Sequence, residues 1–298
     1  GTVVQPLDLQ GLDVEVAAES PDASVVRSVF GLPAGVDSYH LNGRVGWDGE
    51  SWAVSGLDAH LGDSDLRGSA GYTAGGERPA LRAELASDRL NLDQLRAFAA
   101  PADAGDGEDG PATGDDGAAG GGFDPERLLA SLDDLRTVDA EIAYTAGAIE
   151  AEGLPVRSAA LGVRLQDGVL DVQRLRVDLT DGGRLAGTVH IDAGRDPVPV
   201  EAALEVGETS LRVAGTLDRP PDAGPFGLDV SLRSPDPSVV TSLLGWPPDA
   251  LPALAFEGRI GREGDAWVFD DFSAEAGPSD LRGSLRIDEG GERPSITG

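Results

Sequence analysis

The run "LGVRLQDGVLDVQRLRVDLTDGGRLAGTVHI" at 161–191 decides the fold. Leu161, Val163 and Leu165 alternate with other residues up to an Asp167-Gly168 pair. Leu170 and Val172 follow, then Leu175, Val177 and Leu179, before a second break at Asp181-Gly182-Gly183. Leu185, Val189 and Ile191 complete the set. A period of two puts alternate side chains on one side of a strand, and Asp-Gly suits the tight turns that join antiparallel neighbours. The stretch therefore predicts an antiparallel meander with one apolar face. Almost all of the remaining chain alternates in the same way, so the protein is expected to be mainly β.

Short helices interrupt the pattern. "SPDASVVRSVFGLP" at 20–33 and "SPDPSVVTSLLGWP" at 234–247 each place Ser20 or Ser234 as an N-cap candidate. Pro21 or Pro235 follows at the first helical position, where a missing N–H costs nothing. Val25, Val26, Val29 and Phe30 form an apolar face that Val239, Val240, Leu243 and Leu244 repeat. Gly31 and Gly245 then suit a left-handed C-terminal cap. Two more short helices are expected near 92–99 and 125–132.

Those two helical segments are copies of each other, and the copying extends further. "SDLRGS" occurs at 64–69 and at 279–284, and Gly-Gly-Glu-Arg-Pro follows at 75–79 and at 290–294. Trp52 falls on Trp267, and Gly43-Arg44 on Gly258-Arg259, a period of about 215 residues. Residues 1–100 read as the C-terminal part of one repeat unit. Residues 101–122, rich in glycine and acid with no large apolar side chain, read as a disordered linker. Residues 123–298 read as the next unit: a β-meander over 136–217, then a second copy of the 1–84 element at 215–298. A chain without an initial Met that starts inside one unit and stops inside another is expected to be a segment of a longer protein.

Composition narrows the partners. The 53 acidic residues face 23 basic ones, all arginine, for a net charge of −30. Such a field repels phosphate backbones, which excludes nucleic acid as a partner. The acidity fits either a GC-rich genome or adaptation to high salt. Under the second reading, self-repulsion destabilises the fold at low ionic strength, where the Debye length reaches about 30 Å. Thermal melts should then move upward as sodium or potassium chloride approaches the molar range. A melting temperature indifferent to salt leaves composition alone as the cause.

Catalytic chemistry is sparse. There is no cysteine, and the three histidines are His40, His60 and His190. The repeat replaces His40 by Ala255 and His60 by Glu275, and His190 sits between Val189 and Ile191, so all three read as solvent-facing strand residues. Gly-x-Ser-x-Gly is absent. "GDGEDG" at 105–110 matches a phosphate-loop spacing, but it lies in the acidic linker, where carboxylates would repel a pyrophosphate. Asp63 and Asp65 are a close carboxylate pair, yet Asp63 becomes Pro278 in the second copy. The tryptophans read as packing anchors. No catalytic residue, cofactor site or metal site is expected, and the chain is read as not an enzyme.

"LGDSDLRGSAGYTAGGERPALRAELASDRLNLDQL" (61–95) resembles the recurring signature of the AsmA family. It carries Gly62, Ser64-Asp65-Leu66, Gly68, Pro79, alternating Leu81, Ala83 and Leu85, then Ser87 with the Leu90, Leu92, Leu95 spacing. Residues 154–192 resemble the strand meander of the same family. The resemblance implies a long curved antiparallel β-sheet, a taco or half-pipe groove, with a few short α-helices. It implies a Gram-negative envelope protein in the periplasm, tethered to the inner membrane by a segment outside this chain. Its implied role is phospholipid transport between the inner and outer membranes and outer-membrane biogenesis, with phospholipid acyl chains and an outer-membrane protein as partners, and no cofactor.

An open sheet with one apolar face must cover that face. A sixteen-carbon acyl chain sheltered there gains about 12 kcal/mol at ~0.8 kcal/mol per CH₂. Leu161, Val163, Leu165, Leu170, Val172, Leu175, Val177, Leu179, Leu185, Val189 and Ile191 are the groove candidates, expected to line the concave face. The same alternation also fits the core of a β-sandwich scaffold with no lipid. A β-helical carbohydrate enzyme would need a carboxylate cluster at a fixed strand position, and none stands out.

Overall fold

A computed structural model describes residues 2, 11–20, 38–93, 134–150, 156–180, 182–218, 226–238, 241, 251–264, 266–288 and 295–298. The first strands are β1 (Leu12–Ser20), β2 (Tyr39–Trp47), β3 (Ser51–Leu61), β4 (Ser64–Thr73) and β5 (Ala80–Asn91). After a 3-10 turn at Asp134–Arg136 come β6 (Asp139–Glu150), β7 (Val156–Gln166), β8 (Val169–Leu179), β9 (Arg184–Asp192), β10 (Val198–Val206) and β11 (Thr209–Leu217). Then follow β12 (Phe226–Ser234), β13 (Leu254–Glu263), β14 (Ala266–Ala276), β15 (Ser279–Asp288) and the short β16 (Ser295–Thr297).

All sixteen strands form one sheet in chain order. It is open and curved, with almost no helix among the described residues. The mainly β, long-sheet expectation is what the structure shows. The expected linker at 101–122 and the helices at 125–132 and over most of 20–33, 92–99 and 234–247 lie outside the described residues.

Neighbouring strands are antiparallel with one exception. β5 and β6 run parallel, Leu81 opposite Ala140 and Leu85 opposite Tyr144. Parallel neighbours need a crossover of a dozen or more residues, and residues 92–138 provide that length. The tight turns follow the sequence. Asp167 and Gly168 both take positive φ, 55° and 80°, which is the geometry a two-residue hairpin needs to match strand twist.

Strands β1–β4 correspond to β12–β15 in order, and the register slips at Gly43 in one copy and Gly258 in the other. A second slip falls between Val54 and Leu57 and again between Phe269 and Phe272. Gly68 and Gly283 have similar φ values, +140° and +148°.

One local expectation is corrected. Ser234 does not cap the helix after β12: it ends the strand, buried, with its Oγ 2.6 Å from that of Thr209. Asp236 takes the capping role, its Oδ1 accepting the Ser238 N–H at 3.0 Å, while the Pro237 carbonyl accepts the Thr241 N–H at 2.9 Å. The Asp236 carboxylate, two residues nearer the helix than Ser234, reaches the Ser238 N–H, and Pro237 then stands at the first helical position.

Candidate functional site

The eleven candidate residues share one face of the sheet. Opposite one another across β7 and β8 are Leu161 and Leu175, Val163 and Val172, and Leu165 and Leu170. Leu179 faces Val156. Across β8 and β9, Leu170 faces Ile191, Val172 faces Val189, and Val177 faces Leu185. This needs a device, because Val172 and Leu175 are three apart and a regular strand would send them to opposite sides. A bulge at Gln173-Arg174 takes up the extra residue and restores the phase. Bulges between Val54 and Leu57 in β3 and between Phe269 and Phe272 in β14 do the same.

The face extends far beyond those residues. Leu161 and Leu175 lie in a row that continues through Gly187, Leu204, Leu211, Leu232 and Phe256. In the other direction it runs through Tyr144 and Leu85 to Gly68. A parallel row contains Trp47, Trp52, Tyr72 and Leu81, the first two with stacked rings 4.6 Å apart. Period-two spacing in 198–217 is the signal that extends the candidate list to β10 and β11.

Burial on this face is uneven. Leu165, Leu179 and Ile191 are buried, and the other eight candidates are half-buried. Ile191 packs with Val198 and Leu217, surrounded by Leu170, Val189, Val200, Phe226 and Leu228. Among the described residues, Leu135 of the 3-10 turn is the non-strand side chain packed against that cluster. Among the described residues, the exposed large hydrophobic ones are Leu41, Trp52, Tyr72, Leu281 and Ile296. Their strand partners put all five on this same face.

The opposite face is charged and tied across strands. Arg44 grips both oxygens of Asp13 at 2.5 Å, Arg184 meets Asp178 at 2.7 Å, Arg164 meets Glu141 at 3.1 Å and Arg286 meets Glu263 at 2.6 Å. The Arg44 hydrogen bond holds the Asp13 carboxyl below the usual carboxylate range. The Arg184 bond, then Ser158, does the same for Asp178. A lowered folded pKa stabilises above the unfolded value near 3.8 and is lost as pH falls through the folded value, so these ties are intact at neutral pH.

His190 also lies on this charged face, with Nδ1 2.6 Å from Asp171, and His60 sits 3.3 Å from Asp58. A hollow of about 710 Å³ here is floored by Ala53, Ser69, Ala143 and Gly162 and edged by Arg82, Glu84 and Glu141. Its mixed charge does not resemble an acyl-chain site, and the apolar candidates are marked by the character of their face rather than by a pocket. Among the described residues, no group of three His, Asp or Glu side chains is placed to hold a metal ion, and no helix is long and apolar enough to cross a membrane.

The strands thus form an open, curved sheet, apolar on one side and ion-paired on the other, which places the chain among mainly β proteins built on one long sheet. The AsmA family model matches residues 8–212, and the chain belongs to the AsmA family. It is similar to the AsmA family protein YhjG of Escherichia coli (strain K12), 24% identical over 281 residues. That match covers 88% of this chain and 40% of the relative, so the chain spans well under half of that protein's length. No solved structure matches.

Proposed function

We propose that this chain is a periplasmic segment of an inner-membrane-tethered protein that shelters phospholipid acyl chains on its apolar β-face. By carrying lipid it supports transport between the inner and outer membranes and outer-membrane biogenesis. The observation that carries this reading is the placement of Leu41, Trp52 and Tyr72, exposed and all on the face that the half-buried aliphatic rows occupy. Contiguous exposed apolar surface marks a binding site for a protein, membrane or ligand. A face that runs unbroken across strand after strand suits a long flexible hydrocarbon better than a compact ligand. Headgroup contacts are not needed for affinity, since the tail alone supplies about 12 kcal/mol.

Lipid content tests the proposal. Protein incubated with phosphatidylglycerol–phosphatidylethanolamine vesicles and repurified should retain phospholipid in organic extracts, detected by mass spectrometry. Protein that emerges lipid-free under these conditions supports the alternative, a non-catalytic β scaffold of the envelope.

A further inference from the structure

Two of the three histidines stand together. His40 of β2 and His60 of β3 are directly opposite each other, with ring centroids 6.0 Å apart. Asn42 and Asp58 form the next pair along the same polar face, so the four side chains make a square. Both imidazoles aim an Nε2 atom into it. That of His40 lies 2.8 Å from the Asn42 Nδ2, and that of His60 lies 3.3 Å from the Asp58 Oδ1. Strands β2 and β3 are each paired on both edges, so the square is internal to the sheet.

Three features of the square suit a metal cation. The Asn42 amide N–H only donates, so the His40 Nε2 accepts and carries a free lone pair. The ring proton then sits on Nδ1, 3.5 Å from the Glu19 carboxylate, the arrangement that orients metal-ligating histidines. The Asp58 Oδ1 is buried without a hydrogen-bond partner, a costly state that a cation would relieve. Its 3.3 Å separation from the His60 Nε2 is about the edge of a tetrahedron with bonds of roughly 2.0–2.2 Å.

We propose that His40, His60 and Asp58 form a site for a divalent transition-metal ion of zinc's class, with Glu19 positioning His40. Two imidazole nitrogens and one carboxylate oxygen suit zinc and disfavour calcium or magnesium, which take oxygen ligands. Among the described residues no three such groups are already gathered round one point. Closing the site takes a rotation of the partly exposed His40 ring away from Asn42. Two imidazoles on one tetrahedral metal hold their centroids about 5 Å apart, about 1 Å less than here. The net charge of −30 favours any cation, so the histidines supply the selectivity. In the second copy of the repeat Ala255 and Glu275 stand where the two histidines do, and Glu257 and Ser273 replace Asn42 and Asp58. The site lies on the face opposite the aliphatic rows and is independent of the acyl-chain proposal.

The test titrates zinc chloride into chelator-treated protein by calorimetry. In 1 M sodium chloride a Debye length of about 3 Å screens diffuse attraction to the carboxylates. One equivalent should bind saturably, and excess calcium chloride should not displace it. Glu19→Gln should weaken binding about tenfold or more, and His40→Ala and His60→Ala at least as much. His40→Ala is a change the fold already accepts, since Ala255 occupies that place in the second copy. His190→Ala should leave the affinity unchanged, and circular dichroism verifies that each variant is folded. No saturable binding, an isotherm indifferent to both histidine substitutions, displacement by calcium, or equal weakening by His190→Ala overturns the site.

Discussion

Gly68→Ala is expected to lower the melting temperature by about 5–10 °C, whereas Gly283→Ala should shift it by roughly 2 °C or less. Both glycines hold a φ that L-residues rarely adopt, so backbone strain alone would predict equal damage. Their surroundings differ. A Cβ on Gly68 would fall 2.0 Å from the Glu84 carbonyl oxygen and 3.0 Å from the Leu85 Cα, both backbone atoms of β5. No flexible side chain can move aside, so β4 and β5 must separate next to the Asp65 carboxylate, which accepts the Asp88 and Arg89 N–H groups of β5. Clash and strain together reach about 3 kcal/mol, in the range of severe single-site effects. Gly283 has open space around it and lies on an edge, where the backbone can relax without displacing a neighbouring strand. Equal shifts in the two variants would show that strain, and not the close approach of the strands, explains the repeated glycine.

Val177→Asp is the second large effect, and it separates a groove from a core. Val177 is half-buried between Ala159 and Leu185 in the middle of the apolar face. In an open groove the new carboxylate keeps partial contact with water. The fold should persist with a loss of about 1–2 kcal/mol, and retained phospholipid should fall several-fold because hydrocarbon cannot share the site with a charge. In a closed sandwich the same carboxylate is fully desolvated without a partner, and the cost of several kcal/mol unfolds the unit. Circular dichroism and a melt, run beside the lipid extraction, tell the two apart. Wholesale unfolding would contradict the open face.

Much of this architecture is legible in the sequence because the relevant signals are local. Alternation fixes which side chains share a face, and Asp167-Gly168 fixes a turn, each within a few residues. The phase slip between Val172 and Leu175 is also written in the spacing, and the bulge at Gln173-Arg174 is what reconciles it with a single face. The 215-residue repeat is legible as words, while its purpose is not. Asp65 acts on N–H groups more than twenty residues away, and nothing near it in the chain announces them. The parallel pairing of β5 with β6 is hidden for a similar reason: it joins strands across residues 92–138, whose own pattern is not that of a strand. The Asp236 cap escapes a sequence reading because Ser234 and Asp236 both fit the composition of an N-cap, and only the length of β12 decides between them.

The central claim is that hydrocarbon lies on the apolar face and not on the charged one. Photo-crosslinking from the two faces of a single hairpin tests it most directly. A benzophenone amino acid at Val172, which points with the aliphatic rows, is compared with the same probe at His190, which belongs to the ion-paired side. After illumination with phospholipid vesicles, intact-mass spectra should show a phospholipid adduct from position 172 and none from position 190. Equal adducts from both positions, or none from position 172 in a folded protein, would contradict the account.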